Sequence, residues 1–185
     1  MSGPAPRRAS RPSERDLVRA ARDHLARLGY TVWADPDGHD YFDLVARKGE
    51  VVGLVEAKVA DARTVVAQAL RRRAWGDWTA VVVAGRRGAA GIVARTDGTR
   101  AAPIGVWWVD AGSVRELRPA RPWVPPGGED PFAELRARFR RVLDALASGD
   151  LPGGASWDGV GRAIRAASGG RGFAEWRLDE PTREP

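Results

Sequence analysis

Asp43, Glu56 and Lys58 stand in two strand-like segments, Tyr41 to Arg47 and Glu50 to Val59, joined by Lys48-Gly49. If Arg47 faces Glu50 across a two-residue turn, Asp43 lies opposite Leu54 and Tyr41 opposite Glu56. Side chains alternate between the faces of a strand, so Asp43, Leu54, Glu56 and Lys58 share one face. The other face collects Phe42, Leu44, Ala46, Val51, Val55, Ala57 and Val59 and reads as continuous core. Asp43 and Glu56 are then diagonal neighbours, about 7 Å apart at Cβ, within reach of one cation. Magnesium prefers oxygen ligands and keeps several waters, so two carboxylates, a backbone carbonyl and a phosphate oxygen complete an octahedron; manganese suits the same donors. Lys58, one alternate residue beyond Glu56, can orient or help deprotonate an attacking water and oppose charge developing on phosphate.

The competing reading is a cross-strand ion-pair patch on a solvated sheet. Leu54 and the apolar flanks argue for partial burial, where such charges are costly without a metal or partner. Lysine usage points the same way: of thirty basic residues only Lys48 and Lys58 are lysines, so a compact ammonium persists at Lys58 against a strong arginine bias. Glu14 falls on a helical wheel in line with Val18, Ala21 and Leu25, which makes it a third acid directed towards the metal site or a first-turn complement to the helix dipole. Gln68, beside Val65 and Ala69, can hydrogen-bond towards the same site or simply face solvent.

Positioning these groups falls to an ordered series of elements. Ser13 with Asp16 forms a capping-box pattern, apolar residues recur at Leu17, Val18, Ala21, Leu25 and Leu28, and Gly29 stops the helix. A short strand follows over Tyr30 to Trp33, with a turn at Asp35 to Gly38. After the Asp43–Glu56 hairpin, Asp61 caps a second helix running to about Trp75, and Trp78 to Ala84 reads as a buried strand. Gly85 to Arg100 reads as a Gly/Arg loop, with further strands at Ile104 to Val109 and Val114 to Leu117. The expected fold is α/β, a central mixed β-sheet flanked by helices in the order αβββαβ, with a C-terminal helical extension. Its parts are a flexible basic tail (1–12), the α/β core (13–120), a Pro/Gly linker (121–131) and the extension (132–185). In the extension, Phe132, Leu135, Phe139, Val142, Leu143 and Leu146 form a helical stripe, and Trp157 to Ala167 is a candidate second helix.

Composition narrows the function classes. At 185 residues, with 43% hydrophobic and 29% charged residues, the chain is sized for one folded domain with an appendage. The absence of cysteine removes disulfides, thiolate metal sites and cysteine nucleophiles, and His24 and His39 do not have ligand spacing. Short apolar runs predict a soluble cytoplasmic protein with no membrane partner, and no motif predicts a small-molecule cofactor. A net charge of +6 and a pI near 10.8 favour a polyanionic partner, with DNA foremost. Arg71, Arg72, Arg73, Arg86, Arg87 and Lys48 are the candidate phosphate contacts, the alternative for each being a solvated face.

The stretches Ser13 to Val18, Gly29 to Val32, Phe42-Asp43-Leu44-Val45-Ala46 and Val55-Glu56-Ala57-Lys58 resemble the PD-(D/E)xK nuclease superfamily, and within it the archaeal-type Holliday junction resolvases. The resemblance covers about residues 13 to 85. It implies a restriction-endonuclease-like core and a magnesium-dependent DNA endonuclease in which Asp43 and Glu56 ligate the metal. Lys58 would then serve the water, Glu14 would be the helix-borne acid and Gln68 an auxiliary residue. Cutting two strands suits two sites, hence a homodimer. A junction, duplex, flap, single strand or RNA all remain open as substrates, as does the pathway, be it repair, recombination or defence. Two alternatives stand beside this expectation: a non-catalytic nucleic-acid-binding module on the same fold, and a protein-interaction partner that uses the C-terminal helix.

Overall fold

The computed structural model describes residues 12–34, 42–123 and 128–148. The expected basic tail up to residue 11, the Asp35 to Gly38 turn and the helix at Trp157 to Ala167 lie outside the described residues.

Ser13 opens helix α1 (Glu14–Arg27) as a reciprocal cap. The Asp16 amide donates to Ser13 Oγ at 3.2 Å and the Ser13 amide to Asp16 Oδ2 at 2.9 Å, satisfying donors that a helix start leaves unpaired. Leu17, Val18, Ala21 and Leu25 form its buried face, and Gly29 ends the turn after it at φ +82°. Strands β1 (Thr31–Ala34), β2 (Leu44–Lys48), β3 (Val51–Lys58), β4 (Trp78–Val83), β5 (Gly105–Asp110) and β6 (Ser113–Arg118) lie in chain order in one six-stranded sheet. The first three are antiparallel, β3–β4 and β4–β5 are parallel, and β5–β6 closes as a hairpin.

Each parallel pair needs a crossover, and helices α2 (Ala62–Arg72) and α3 (Arg86–Thr96) provide them. Helix α4 (Ala133–Ser148) completes an α/β fold with a central mixed sheet flanked by helices. The elements open in the expected order α, β, β, β, α, β. The Gly/Arg stretch expected to be a loop is therefore corrected to α3. Its glycines mask a helical spacing, with Ala89, Ile92 and Thr96 buried on one side.

One face of the sheet packs on α1, through Leu44, Ala46, Val55, Ala57, Ala80 and Val82. The opposite face carries α2 and α3 over Val81, Val83 and Val106, and α4 over Val45, Val52 and Leu54. Thus the stripe Phe139, Leu143 and Leu146 is buried within the chain, against Phe42 and Trp75. Arg140 ties α4 down further with a 2.7 Å bond to Asp77. Among the described residues no helix is long and apolar enough to cross a membrane.

Candidate active site

The β2–β3 register differs from the expected one. Leu44 pairs with Val55 and Lys48 with Val51, so the turn residues are Gly49-Glu50 and not Lys48-Gly49. Gly49 takes φ +58°, and a left-handed glycine at the first turn position suits the twist of a hairpin. The slip is two residues, so the alternation of faces within the paired residues 44–48 and 51–55 is preserved while the pairing tightens. Extended one step past β2, the observed register sets Asp43 directly opposite Glu56, in place of the expected diagonal.

Asp43 sits at a bend just before β2, where its Oδ2 accepts the Ala57 amide at 2.6 Å. The side chain stands in for a ladder hydrogen bond and fixes the carboxyl beside β3. The bend also turns Phe42 away from the α1 face it was expected to share and into contact with Trp75 and Phe139. Val51, expected in that same core, is 43% exposed because it lies at the hairpin end.

Glu56 is 3% exposed and is met from α2 by Arg72, whose Nε donates to Glu56 Oε1 at 3.1 Å. The Arg72 guanidinium also lies 5.4 Å from the Phe42 ring centre, a cation–π contact. Burial pushes the Glu56 carboxyl up to about 7, with Arg72 opposing the shift and Asp43 adding to it. Burial likewise raises Asp43, against the Ala57 hydrogen bond and the charge of Lys58. Lys58 emerges at the end of β3 and lies 3.1 Å from Glu14 Oε1 on α1. Glu14, itself half exposed, joins the site through Lys58, and its charge adds to the upward shift of Asp43.

Gln68 is half-buried on α2, one turn before Arg72 and on the side that carries Val65 and Ala69. The three consecutive arginines do not form one track. Arg71 is exposed, Arg72 is buried on Glu56, and Arg73 lies 4.7 Å from the Trp123 ring. Arg86 and Arg87 are exposed at the start of α3. Lys48 donates to the Leu28 carbonyl at 2.8 Å, satisfying an oxygen at the end of α1, where a cation also complements the helix dipole.

Sequence reasoning missed Arg72 as a member of the site, because it was grouped with its neighbours as a basic run. The usable signal was its four-residue spacing from Gln68 on a face otherwise apolar.

The donor set suits a divalent cation. Among the described residues, Oδ2 of Asp43 accepts from the Ala57 amide and Oε1 of Glu56 from Arg72, which leaves Oδ1 and Oε2 as the oxygens to offer a cation. Loss of solvent raises both carboxyls, and a divalent ion held between them would favour their ionised form. Magnesium needs only one or two carboxylates beside its waters, so the pair fits it. Among the described residues no group of three or more His, Cys, Asp or Glu is placed to hold a metal.

No family model matches the chain, and no curated protein matches it. Among solved structures, it is similar to the SPO1766 protein of unknown function from Silicibacter pomeroyi, with 18% identity and a TM-score of 0.44. The match covers 74% of this chain and 92% of that one.

Proposed function

We propose that this chain is a divalent-metal-dependent endonuclease of the PD-(D/E)xK kind, hydrolysing DNA phosphodiester bonds in the cytoplasm. The observation that carries the reading is the half-buried Asp43 beside the buried Glu56 and Lys58, with both carboxyls held above their ordinary range by loss of solvent. The α, β, β, β, α, β order and the net charge of +6 support it.

Bound magnesium or manganese would supply Lewis-acid polarisation of the phosphoryl oxygen, held by Asp43 and Glu56. The chain's own groups do the rest. Lys58 holds its positive charge towards the phosphate and orients the incoming water through an N–H donor. Glu14 fixes the direction of that ammonium. Arg72 keeps the Glu56 carboxylate in one orientation, and Gln68 extends the same side of α2 towards the substrate. A second copy of the chain would give the two sites that cutting a duplex requires.

One observation favours a second reading, a nucleic-acid-binding module without catalysis. Glu56 already has a cation in Arg72, so the acids can serve as a structural ion pair.

Cleavage of labelled linear duplex, four-way junction and single-stranded DNA, with magnesium or manganese against EDTA, separates the two. Wild type is expected to cut only with metal, and Asp43→Ala and Lys58→Ala to cut at least about 100-fold more slowly. Metal-dependent cutting that survives both substitutions overturns the site assignment. Salt-sensitive binding with no cutting by wild type moves the assignment to the binding module.

A further inference from the structure

We infer that Arg72 sets which divalent cation the Asp43–Glu56 site accepts: its Nε–H, bonded to Glu56 Oε1, limits that carboxylate to a single ligating oxygen and so favours magnesium over calcium. This rests on the reading of the two carboxylates as a metal site. It adds a positioning residue that acts through Glu56 and does not itself ligate the ion.

Two separate parts of the chain restrict the two acids in the same way. Asp43 Oδ2 accepts the Ala57 backbone amide at 2.6 Å, and Glu56 Oε1 accepts Arg72 Nε at 3.1 Å. One donor belongs to the backbone of β3 and the other to the last residue of α2. Each acid therefore has one oxygen, Oδ1 or Oε2, to offer a cation. Magnesium takes about six oxygens in a near-ideal octahedron and keeps several waters among them, so one oxygen from each of two carboxylates serves it. Calcium takes roughly six to eight oxygens at longer distances and gains from carboxylates that chelate through both.

Chelation by Glu56 would need Oε1 to leave Arg72, stranding the charge of a side chain only 11% exposed. It would also bring a dication towards that guanidinium on the same carboxylate, where little water is present to screen the repulsion. Arg72 is held in place on its other side. Its guanidinium lies 5.4 Å from the Phe42 ring centre, and Phe42, 1% exposed, packs on Trp75 and Phe139. Asp43 is equally constrained, since the Ala57 amide belongs to a strand that lies between β2 and β4. A site whose acids are pinned in this way discriminates between the two ions by ligand number and rigidity.

The test is isothermal titration calorimetry of the full chain without DNA, with calcium chloride and with magnesium chloride at one alkaline pH. Wild type, Arg72→Met and Arg72→Gln are compared by the ratio of the two dissociation constants within each protein, in which proton competition and lost stability cancel. Arg72→Met is expected to shift the ratio towards calcium by about tenfold or more, the scale on which partners of ligating carboxylates tune metal affinity. Glutamine carries its amide nitrogen as many bonds from Cα as arginine carries Nε. Arg72→Gln therefore keeps an N–H donor for Oε1 without the charge, and its ratio is expected to stay within about threefold of wild type. If Arg72→Met unfolds without metal, melting midpoints with each ion supply the same comparison, because the ion bound more tightly raises the midpoint further.

An unchanged ratio in Arg72→Met overturns the inference. A shift as large in Arg72→Gln as in Arg72→Met also overturns it, since charge and not the held oxygen then decides. Wild type that responds to neither ion overturns the inference and the metal site together. Failure of the nuclease reading alone looks different: the expected ratios, and no metal-dependent cutting of DNA.

Discussion

Arg72 Nε stands 3.1 Å from Glu56 Oε1, and the two side chains are only 11% and 4% exposed. The pair joins α2 to the centre of the sheet at the point where the candidate chemistry is gathered. Its attraction is spent largely on desolvating two charges, so the intact pair adds little net stability. Breaking it is another matter, because one charge is then left buried and unpaired. At a pH well above 7, where Glu56 is ionised, Arg72→Met is expected to lower unfolding stability by about 3–5 kcal/mol, and Arg72→Met/Glu56→Leu to recover most of that loss. Urea midpoints at constant m-value measure both. Equal destabilisation by the single and double variants would show that Arg72 acts by packing on Phe42 and not through Glu56.

The Glu56 carboxyl gives stability a particular pH dependence. In the unfolded chain it ionises near 4.5, and in the folded protein burial holds it protonated up to about 7. Between those values the folded state carries the extra proton, so stability from this group is present below pH 4.5 and is lost as pH rises to 7. At about 1.4 kcal/mol per unit the loss is of order 3 kcal/mol. Asp43, raised for the same reason, contributes in the same direction. Thermal melts of wild type are expected to fall across this window, and those of Glu56→Gln to stay nearly flat. Magnesium added above pH 7 is expected to return stability, since it binds only the ionised pair.

The local elements of this fold were legible because each is written by nearby residues: the Ser13–Asp16 cap, the alternation in β3 and the Asp61 cap, whose Oδ1 accepts the Thr64 amide at 3.1 Å. Alternation along β3 survived a wrong register, because a slip of two leaves it intact, and Glu56 meets α2 through Arg72 while Lys58, at the strand's end, reaches Glu14 on α1. What failed depended on partners distant in sequence. Gly88 and Gly91 hid α3, although two buried parallel strands on either side demanded a crossover of that length. Phe42 kept strand parity only on paper, since the bend at Asp43 is stabilised by the Ala57 amide fourteen residues away. Arg72 was invisible as a site residue because its partner Glu56 lies on another element.

Helix α4 belongs to the core. Phe139 is 1% exposed, with its ring centre 5.7 Å from those of both Phe42 and Trp75. Phe139→Ala is expected to cost about 3–5 kcal/mol by loss of burial and the cavity left behind. Since Phe42 adjoins Asp43, the same variant is expected to weaken magnesium-dependent cleavage more than stability alone explains, at temperatures where it is fully folded. A variant that melts like wild type would mean that α4 detaches easily and leaves its stripe for another partner.

Gly53 in β3 is required by close approach. A Cβ there would fall 1.9 Å from Trp78 Cζ2, on the indole of the adjacent strand. The Trp78 ring is confined in turn by Trp107, at 6.1 Å between centres, and Tyr30, at 5.9 Å. Gly53→Ala is therefore expected to destabilise by about 1–3 kcal/mol through overpacking, and Gly53→Ala/Trp78→Leu to be milder than Gly53→Ala alone. Denaturant unfolding of the three proteins provides the comparison.

Glu14 and Lys58 separate what the site needs from what the fold needs. Their pair lies 3.1 Å apart across α1 and β3, but the side chains are 49% and 32% exposed, a setting in which an ion pair contributes at most about 1 kcal/mol. Glu14→Gln keeps the shape and one oxygen acceptor while removing the charge that directs the ammonium. Stability is therefore expected to change by less than about 1 kcal/mol, and metal-dependent cleavage to fall by about tenfold or more, chiefly in kcat. If Lys58 acts only through Glu14's structural contact, Lys58→Arg should cleave like wild type. If its compact ammonium must reach both the water and the phosphate, Lys58→Arg should fail while folding normally, because a planar guanidinium cannot occupy the same point. Steady-state cleavage beside thermal melts for these two variants shows which requirement the arginine-rich chain met by keeping a lysine here.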